Sequence, residues 1–169
     1  PATQKLGPYD NLHDLFLDAV DPLVVESDHY WHLGEYPQCV RCNEAAVFLD
    51  PHYVDLYGTS AWLLWSMGLN DRATSLLRQG LAANPEDWNM WFDAGYQYFL
   101  MNDFTTAARL LGRAVELGAP AAQSRPYCHA LEKSGRPDLA LKAWEDLRRK
   151  FPDDPLPPQH IERLKKVLA

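Results

Sequence analysis

The stretch WNMWFDAGYQYFLMNDFTTAARLLGRAVELGAP, residues 88–120, decides how the rest of the chain is interpreted. Asn102-Asp103 would end one helix and cap the next, which runs to the turn at Gly118. A small pair in the first helix would let the second helix approach closely. The stretch therefore predicts a helix hairpin. The stripe that would face the second helix has helical spacing and consists of Trp91, Ala94, Gly95 and Tyr98.

The features of this hairpin recur along the chain with a period close to 34 residues, as Pro51 and Pro85 illustrate. A glycine or asparagine stands at each turn between two helices, and a small residue stands at a fixed place in each second helix. Such hairpins cannot bury their apolar faces alone, so neighbours must stack. The two series are Gly34, Gly68, Asn102 and Gly135, and Cys39, Ala73, Ala107 and Ala140.

The pattern resembles the tetratricopeptide-repeat (TPR) family over roughly residues 20–152. The resemblance implies an all-α, right-handed TPR-like superhelical solenoid of four helix hairpins, plus an N-terminal helix and a C-terminal capping helix. We expect one TPR-like domain over residues 1–169. Its expected parts are an arm at 1–9, an N-terminal helix at 10–20, repeats at 20–53, 54–87, 88–120 and 121–152, and the capping helix at 156–169.

Two details of these elements are expectations that depend on individual residues. Because proline suits only the start of a helix, the first helix of the fourth repeat should begin near Ser124, with Pro126 in its first turn. The N-terminal helix should bury Leu15 and Phe16, and the capping helix should bury Ile161, Leu164 and Leu168. A chain that begins at Pro1 is expected to be a fragment or a processed form.

Composition and charge exclude several function classes. The formal net charge of −7 argues against a general nucleic-acid binder. No apolar run approaches the ~18 residues of a membrane span, so no membrane insertion is expected.

Residues 1–120 carry 6 basic and 16 acidic side chains, whereas residues 121–169 carry 10 basic and 7 acidic ones. The first part should therefore favour cationic partners. The sequence does not decide the cellular compartment, although it slightly favours the cytoplasm.

The sequence predicts no enzyme, no cofactor and no metal. It contains no phosphate loop, dinucleotide fingerprint, zinc-protease helix or nucleophile elbow. The Cys39-x-x-Cys42 pair lies inside a predicted helix without a second pair, so packing explains it better than zinc or redox chemistry. His29, His32 and His52 lie near each other in sequence, but their spacing does not demand a metal.

A second aromatic stripe runs along the first helices of the repeats. Phe92, Tyr96 and Phe99 follow it in the third repeat, and Trp62 and Trp65 hold the matching places one repeat earlier. An amphipathic helix needs one buried face, so a second apolar face requires another cover. Internal packing between first helices is one alternative. The TPR resemblance implies the other, that these places line the concave surface where ligands bind.

The sequence thus predicts a protein-binding module that holds a peptide with apolar side chains and Lys or Arg, because rings and carboxylates both attract cations. The chain's own residues 1–9 are an alternative occupant. A structural protein that forms head-to-tail oligomers through acidic N-terminal and basic C-terminal surfaces is the rival function. A third alternative is an accessory domain of a larger enzyme or of a secretion component. The expected groove consists of Asp28, Trp31, Asp55, Trp62, Trp65, Phe92, Asp93, Tyr96, Phe99, Arg125 and His129.

Overall fold

The computed structural model describes the backbone of residues 12–169 and the side chains of residues 14–169. The arm predicted at residues 1–9 lies outside the described residues. The described part of the chain is all-α and contains no strand. Its helices are α1 (Leu12–Leu33), α2 (Tyr36–Leu49), α3 (Asp55–Ser66), α4 (Asn70–Ala83), α5 (Trp88–Leu100), α6 (Phe104–Glu116), α7 (Ala121–Lys133), α8 (Pro137–Lys150) and α9 (Pro157–Leu168).

The described helices divide between two compact units. The first unit ends at Asn84 and contains the hairpins α1/α2 and α3/α4. The second unit spans Pro85–Ala169 and contains the hairpins α5/α6 and α7/α8, with α9 packed against α8. The four hairpins expected from the sequence are present, whereas the single domain expected over residues 1–169 stays a prediction. None of the described helices is long and apolar enough to cross a membrane.

A residue with a left-handed backbone closes each hairpin. Glycine adopts this conformation at low cost because it has no Cβ, and asparagine tolerates it. The next backbone N–H donates to the carbonyl five residues earlier, as Leu69 does to Leu64 at 2.8 Å. This confirms the turn series read from the sequence, with φ of 73° at Gly34, 77° at Gly68, 61° at Asn102 and 76° at Gly135.

Small residues on the first helix of each hairpin let the second helix approach closely. A Cβ added to Gly95 would lie 2.8 Å from the backbone nitrogen of Leu111 and 2.7 Å from a carbon of its side chain. Ser27 holds the corresponding place on α1, where its hydroxyl lies 3.2 Å from the Cys39 sulfur. The small series on the second helices is also confirmed as core, because Cys39, Ala73, Ala107 and Ala140 are all buried.

The prediction of an N-terminal helix at residues 10–20 that is separate from the first helix of the repeat at 20–53 is wrong, because α1 continues through Pro22. A proline inside a helix removes one backbone hydrogen bond and costs about 3 kcal/mol. Val20 and Ser27, on either side of this proline, are both buried against the rest of the first unit. Packing on both sides of Pro22 therefore holds the two halves in one helix.

The prediction that the first helix of the fourth repeat begins near Ser124 is also wrong. Helix α7 begins at Ala121, and Pro126 lies in its second turn. The N–H that proline lacks would have bonded to the carbonyl of Ala122, so the helix loses one bond close to its start. Ser124 supports this first turn, because its backbone N–H and its hydroxyl both donate to the carbonyl of Pro120, at 2.9 Å each.

The two ends of the described chain bury fewer apolar side chains than expected. Ile161 and Leu164 of α9 enter the core of the second unit beside Trp144, as the sequence predicts. In α1, the turns before Val20 extend past the buried part of the helix. Leu15 and Phe16, which the sequence predicts to be buried, are consequently exposed. Leu168, at the end of α9, is exposed as well.

Changing Gly95→Ala tests the close approach of α5 and α6. The added methyl would meet the α6 backbone, so we expect a loss of about 1–3 kcal/mol in the free energy of unfolding, despite alanine's better helix propensity. Gly112→Ala is the matched control, because its Cβ would lie 3.1 Å from the Tyr127 ring edge, which can shift. Chemical denaturation measures both, and equal stabilities would contradict the account.

Candidate functional site

Two exposed tryptophans lie side by side in the first unit. The ring of Trp31 on α1 and the ring of Trp62 on α3 have centroids 6.1 Å apart. Trp31 also makes an edge contact with Tyr36, at 5.8 Å between centroids. The two tryptophans keep 39% and 45% of their surface exposed, respectively. Trp65, one turn further along α3, is half-buried. The sequence stripe therefore forms a tryptophan pair with free ring surface.

Three rings on α5 form an aromatic ladder in the second unit. Phe92 and Tyr96 stack with centroids 5.5 Å apart, and Tyr96 and Phe99 stack at 6.0 Å. Phe104 of α6 closes the ladder with an edge contact to Phe99 at 5.2 Å, and the Lys133 ammonium lies 5.1 Å from the Phe104 ring centre. Such ring pairs stabilise by about 0.5–1.5 kcal/mol each, which fixes the ladder as a rigid surface.

The three predicted groove carboxylates occupy different environments. Asp28 is exposed one turn before Trp31, and its carboxylate lies 3.5 Å from the His32 ring nitrogen. Asp55 is exposed in the first turn of α3, where the helix dipole favours a negative charge. Asp93 is half-buried and directly follows Phe92 of the aromatic ladder. All three carboxylates therefore lie on helices that carry the aromatic rings.

Arg125 is engaged inside the second unit. Its guanidinium donates two hydrogen bonds to Asp154, from Nε at 3.0 Å and from Nη2 at 2.8 Å. Burial of the Asp154 carboxyl acts to raise its pKa, but the bonds from Arg125 and from the Leu156 N–H outweigh burial and hold the pKa below its ordinary value. Arg125 thus ties α7 to the connector before α9, which reduces its freedom to receive a peptide.

His129 belongs to a cluster that joins α7, α8 and α9, which we call the α9 cluster: His129, Glu132, Trp144, His160 and Arg163. The His129 ring makes edge contacts with Trp144 and His160 at 5.1 and 5.0 Å, and the His160 ring stacks on Trp144 at 4.2 Å. Glu132 accepts a hydrogen bond from the Trp144 indole at 3.0 Å and another from Arg163.

The α9 cluster shifts the pKa values of its members. Burial, and then the neighbouring His160, lower the pKa of His129, and burial also lowers the pKa of His160. Burial acts to raise the pKa of Glu132, but the hydrogen bonds from Arg163 and Trp144 outweigh it and lower that pKa. The sequence places His129 and Glu132 on one face of α7, but it gives no signal that His160 joins them.

The cysteines behave as packing residues, as the sequence predicts. Cys39 and Cys128 are buried, Cys42 is half-buried, and all three are free thiols. Burial raises the pKa of Cys128 to about 12, so its thiol stays protonated and unreactive. His29, His32 and His52 do not join any group of three or more potential metal ligands among the described residues.

A concavity of about 330 Å³ lies elsewhere in the second unit, between α7 and α8. Tyr127, Leu147 and Phe151 supply apolar lining, and Arg136 and Lys142 supply positive charge. Its charge is opposite to that expected for the groove beside the aromatic rings. Whether the protein prefers basic or acidic peptides therefore distinguishes the two surfaces.

Residues 59–123 match the family model described as tetratricopeptide repeat. The chain also has the fold seen in a crystal structure of MamA protein, at TM-score 0.70 and 18% identity, with 87% of this chain and 81% of that chain covered. A thermophilic TPR protein of Thermus thermophilus, TTC0263, aligns at TM-score 0.62 and 18% identity over 92% and 88% of the two chains.

YrrB, described as a TPR protein with an unusual peptide-binding site, aligns at TM-score 0.65 and 16% identity. The alignment covers 92% of this chain and 84% of YrrB. No curated protein matches the sequence. Together the family match and the structural likeness confirm the predicted all-α, TPR-like solenoid fold.

Changing Asp154→Asn tests the tie between α7 and the connector. Because the pKa of Asp154 is lower in the folded than in the unfolded chain, its stabilisation is complete above the unfolded pKa, near 3.8, and is lost as pH falls through the folded pKa. We expect the variant to lose about 1.5–3 kcal/mol at neutral pH and to show a shallower loss of stability in acid. Denaturation at several pH values measures this, and an unchanged acid dependence would contradict it.

Proposed function

We propose that this chain, a member of the tetratricopeptide-repeat family, holds a peptide segment of another protein against the aromatic rings of its first helices. The TPR fold supports a role in protein–protein interaction or as a scaffold. The observation that carries the finer proposal is the exposed tryptophan pair in the first unit. The peptide would carry apolar side chains together with Lys or Arg.

The tryptophan pair suits such a peptide in both chemistry and exposure. Trp31 and Trp62 offer adjacent ring faces, and aromatic anchors contribute much of the binding energy at protein interfaces. A Lys or Arg over an exposed indole gains about 0.5–1 kcal/mol. Asp28 lies one turn from Trp31 and offers a carboxylate for the same cation. A basic and apolar segment would therefore satisfy both groups.

The aromatic ladder of the second unit offers a related surface. Tyr96 keeps 38% of its surface exposed, while its ring is held between Phe92 and Phe99. A rigid ring binds at low entropic cost, because its orientation is fixed before the ligand arrives. Each unit therefore offers its own aromatic surface for the peptide. Arg125 and His129 are left out of these surfaces, because the Arg125 guanidinium is hydrogen-bonded to Asp154 and the His129 ring packs inside the α9 cluster.

Two further observations bear on the proposal. YrrB, whose fold is similar, is described as having an unusual peptide-binding site, which supports peptide binding by this fold. The uneven charge of the chain favours a second candidate, self-assembly of acidic and basic surfaces into head-to-tail oligomers. The chain's own residues 1–9 are an alternative occupant of the aromatic surface.

Changing Trp62→Ala or Tyr96→Ala tests the peptide surface. The probes are two sets of short synthetic peptides with the same Leu and Phe positions, one carrying Arg and Lys and the other Glu. We expect the basic peptides to bind the parent. Each alanine substitution should raise their dissociation constant by about fivefold or more, which corresponds to about 1 kcal/mol of binding free energy. Fluorescence titration provides the dissociation constants, and circular dichroism shows that each variant folds.

Phe48→Ala is the matched control, because Phe48 is an aromatic residue on α2 that keeps 83% of its surface exposed. It should bind the basic peptides as the parent does. Deleting residues 1–9 should strengthen binding if that segment competes for the surface. Preference for the Glu peptides would overturn the proposal and favour the basic concavity. Parent-like binding of the basic peptides by both Trp62→Ala and Tyr96→Ala would also overturn it.

The self-assembly alternative makes a separate prediction about mass. Contacts between exposed charges weaken as salt is added. Light scattering at low salt should then give a mass above that of one 19.3 kDa chain, which falls toward the single-chain mass at high salt. A single-chain mass at low salt and high protein concentration excludes this alternative.

A further inference from the structure

We infer that His129, Glu132 and His160 form a binding site for a divalent metal ion of the zinc class, which links α7 to α9. This inference is independent of the proposed peptide binding. One potential ligand atom from each residue lies within 4.8 Å of the other two. In the part of the chain that the structure describes, no other group of three or more His, Cys, Asp or Glu residues reaches this proximity.

The distances require only small side-chain movements to hold the ion. Zinc binds imidazole nitrogen and carboxylate oxygen at about 2.0–2.2 Å, so neighbouring ligand atoms in a tetrahedral site lie about 3.4 Å apart. The His160 Nδ1 and a Glu132 oxygen are already 4.0 Å apart. Contraction by up to about 1.4 Å is within the reach of χ rotations in side chains that are half-buried. Two imidazoles and one carboxylate leave a fourth position for water.

The donor set indicates which ion would bind. Imidazole suits zinc, copper, iron and nickel, whereas calcium and magnesium prefer sites made of oxygen atoms. His129 and Glu132 stand three residues apart on α7, so one helix face presents both of them. His160 comes from α9, which means that the ion would join two helices.

Neighbouring groups already orient the ligands. The Trp144 indole donates to one oxygen of Glu132 at 3.0 Å, and the Trp144 ring stacks on His160. Trp144 is fully buried, so these contacts are fixed by the core of the second unit. Hydrogen bonds of this kind to ligating groups commonly change metal affinity by about 10–100-fold.

Arg163 provides the sharpest test, because its guanidinium pairs with the second oxygen of Glu132 and lies 3.3 Å from the His160 Nδ1. It therefore supplies the positive charge that a metal ion would supply. The Arg163 side chain is about half exposed, so it can turn toward solvent when an ion arrives. Removing this competing cation should strengthen metal binding, whereas a cluster that serves packing alone would not respond in this way.

The experiment uses the full chain, freed of metal by a chelator, with zinc titrated against a chromogenic competitor. We expect one zinc ion per parent chain. His129→Gln and His160→Gln, which keep polar side chains of moderate size, should each weaken its binding at least tenfold. Arg163→Gln should strengthen binding severalfold. His32→Ala is the control, since His32 is an exposed helical histidine that does not belong to this cluster, and the substitution should not change zinc affinity.

Thermal unfolding gives a second readout that does not depend on the competitor. Zinc at about a hundredfold excess over its dissociation constant should raise the melting temperature of the parent by about 5 °C or more, and magnesium should not. The shift should disappear in His160→Gln. Parent-like zinc affinity in both histidine-to-glutamine variants, loss of the bound ion in His32→Ala, or zinc binding unchanged by Arg163→Gln would overturn the inference.

Discussion

The close approach of the two helices in each hairpin is the constraint on which the rest of this structure depends. At Gly95, a single Cβ would collide with the backbone of α6, so this position admits no larger side chain without a shift of the helices. Ser27 and Cys128 hold the corresponding places in other hairpins and are also buried. Because one face of each first helix is committed to this contact, other side chains of that helix are free to form a second surface.

On this second surface, aromatic rings leave more apolar area in water than stability alone would favour. Trp31 and Trp62 touch each other yet keep much of their ring surface in water, and burying that surface would be favourable. The ladder of Phe92, Tyr96 and Phe99 is instead held rigid by stacking. Exposed aromatic surface that is fixed in place is typical of a binding surface, and it connects the packing of the hairpins to the proposed function.

The fold was predictable from the sequence because its determinants are local and periodic. The turn at Gly68 and the buried Ala73 follow directly from the repeat spacing. The boundary predicted near residue 20 is absent, since α1 continues through Pro22 and packing on both sides of this proline outweighs the lost hydrogen bond. The contact of His160 with α7 joins residues about thirty positions apart, and no periodic signal encodes it. The ring positions on the first helices were therefore predictable from the repeat, whereas the contacts that α9 makes were not.

The exposed rings of the first helices are proposed to bind a peptide, and the indole N–H resonances of the chain would report such binding. Trp62 lies on the proposed surface, whereas Trp144 is buried with its indole bonded to Glu132 and serves as an internal reference. On titration with the basic, apolar peptide, the account predicts that the Trp31 and Trp62 resonances shift together while Trp144 does not. Trp31 and Trp62 resonances that stay unchanged at saturating peptide would contradict it.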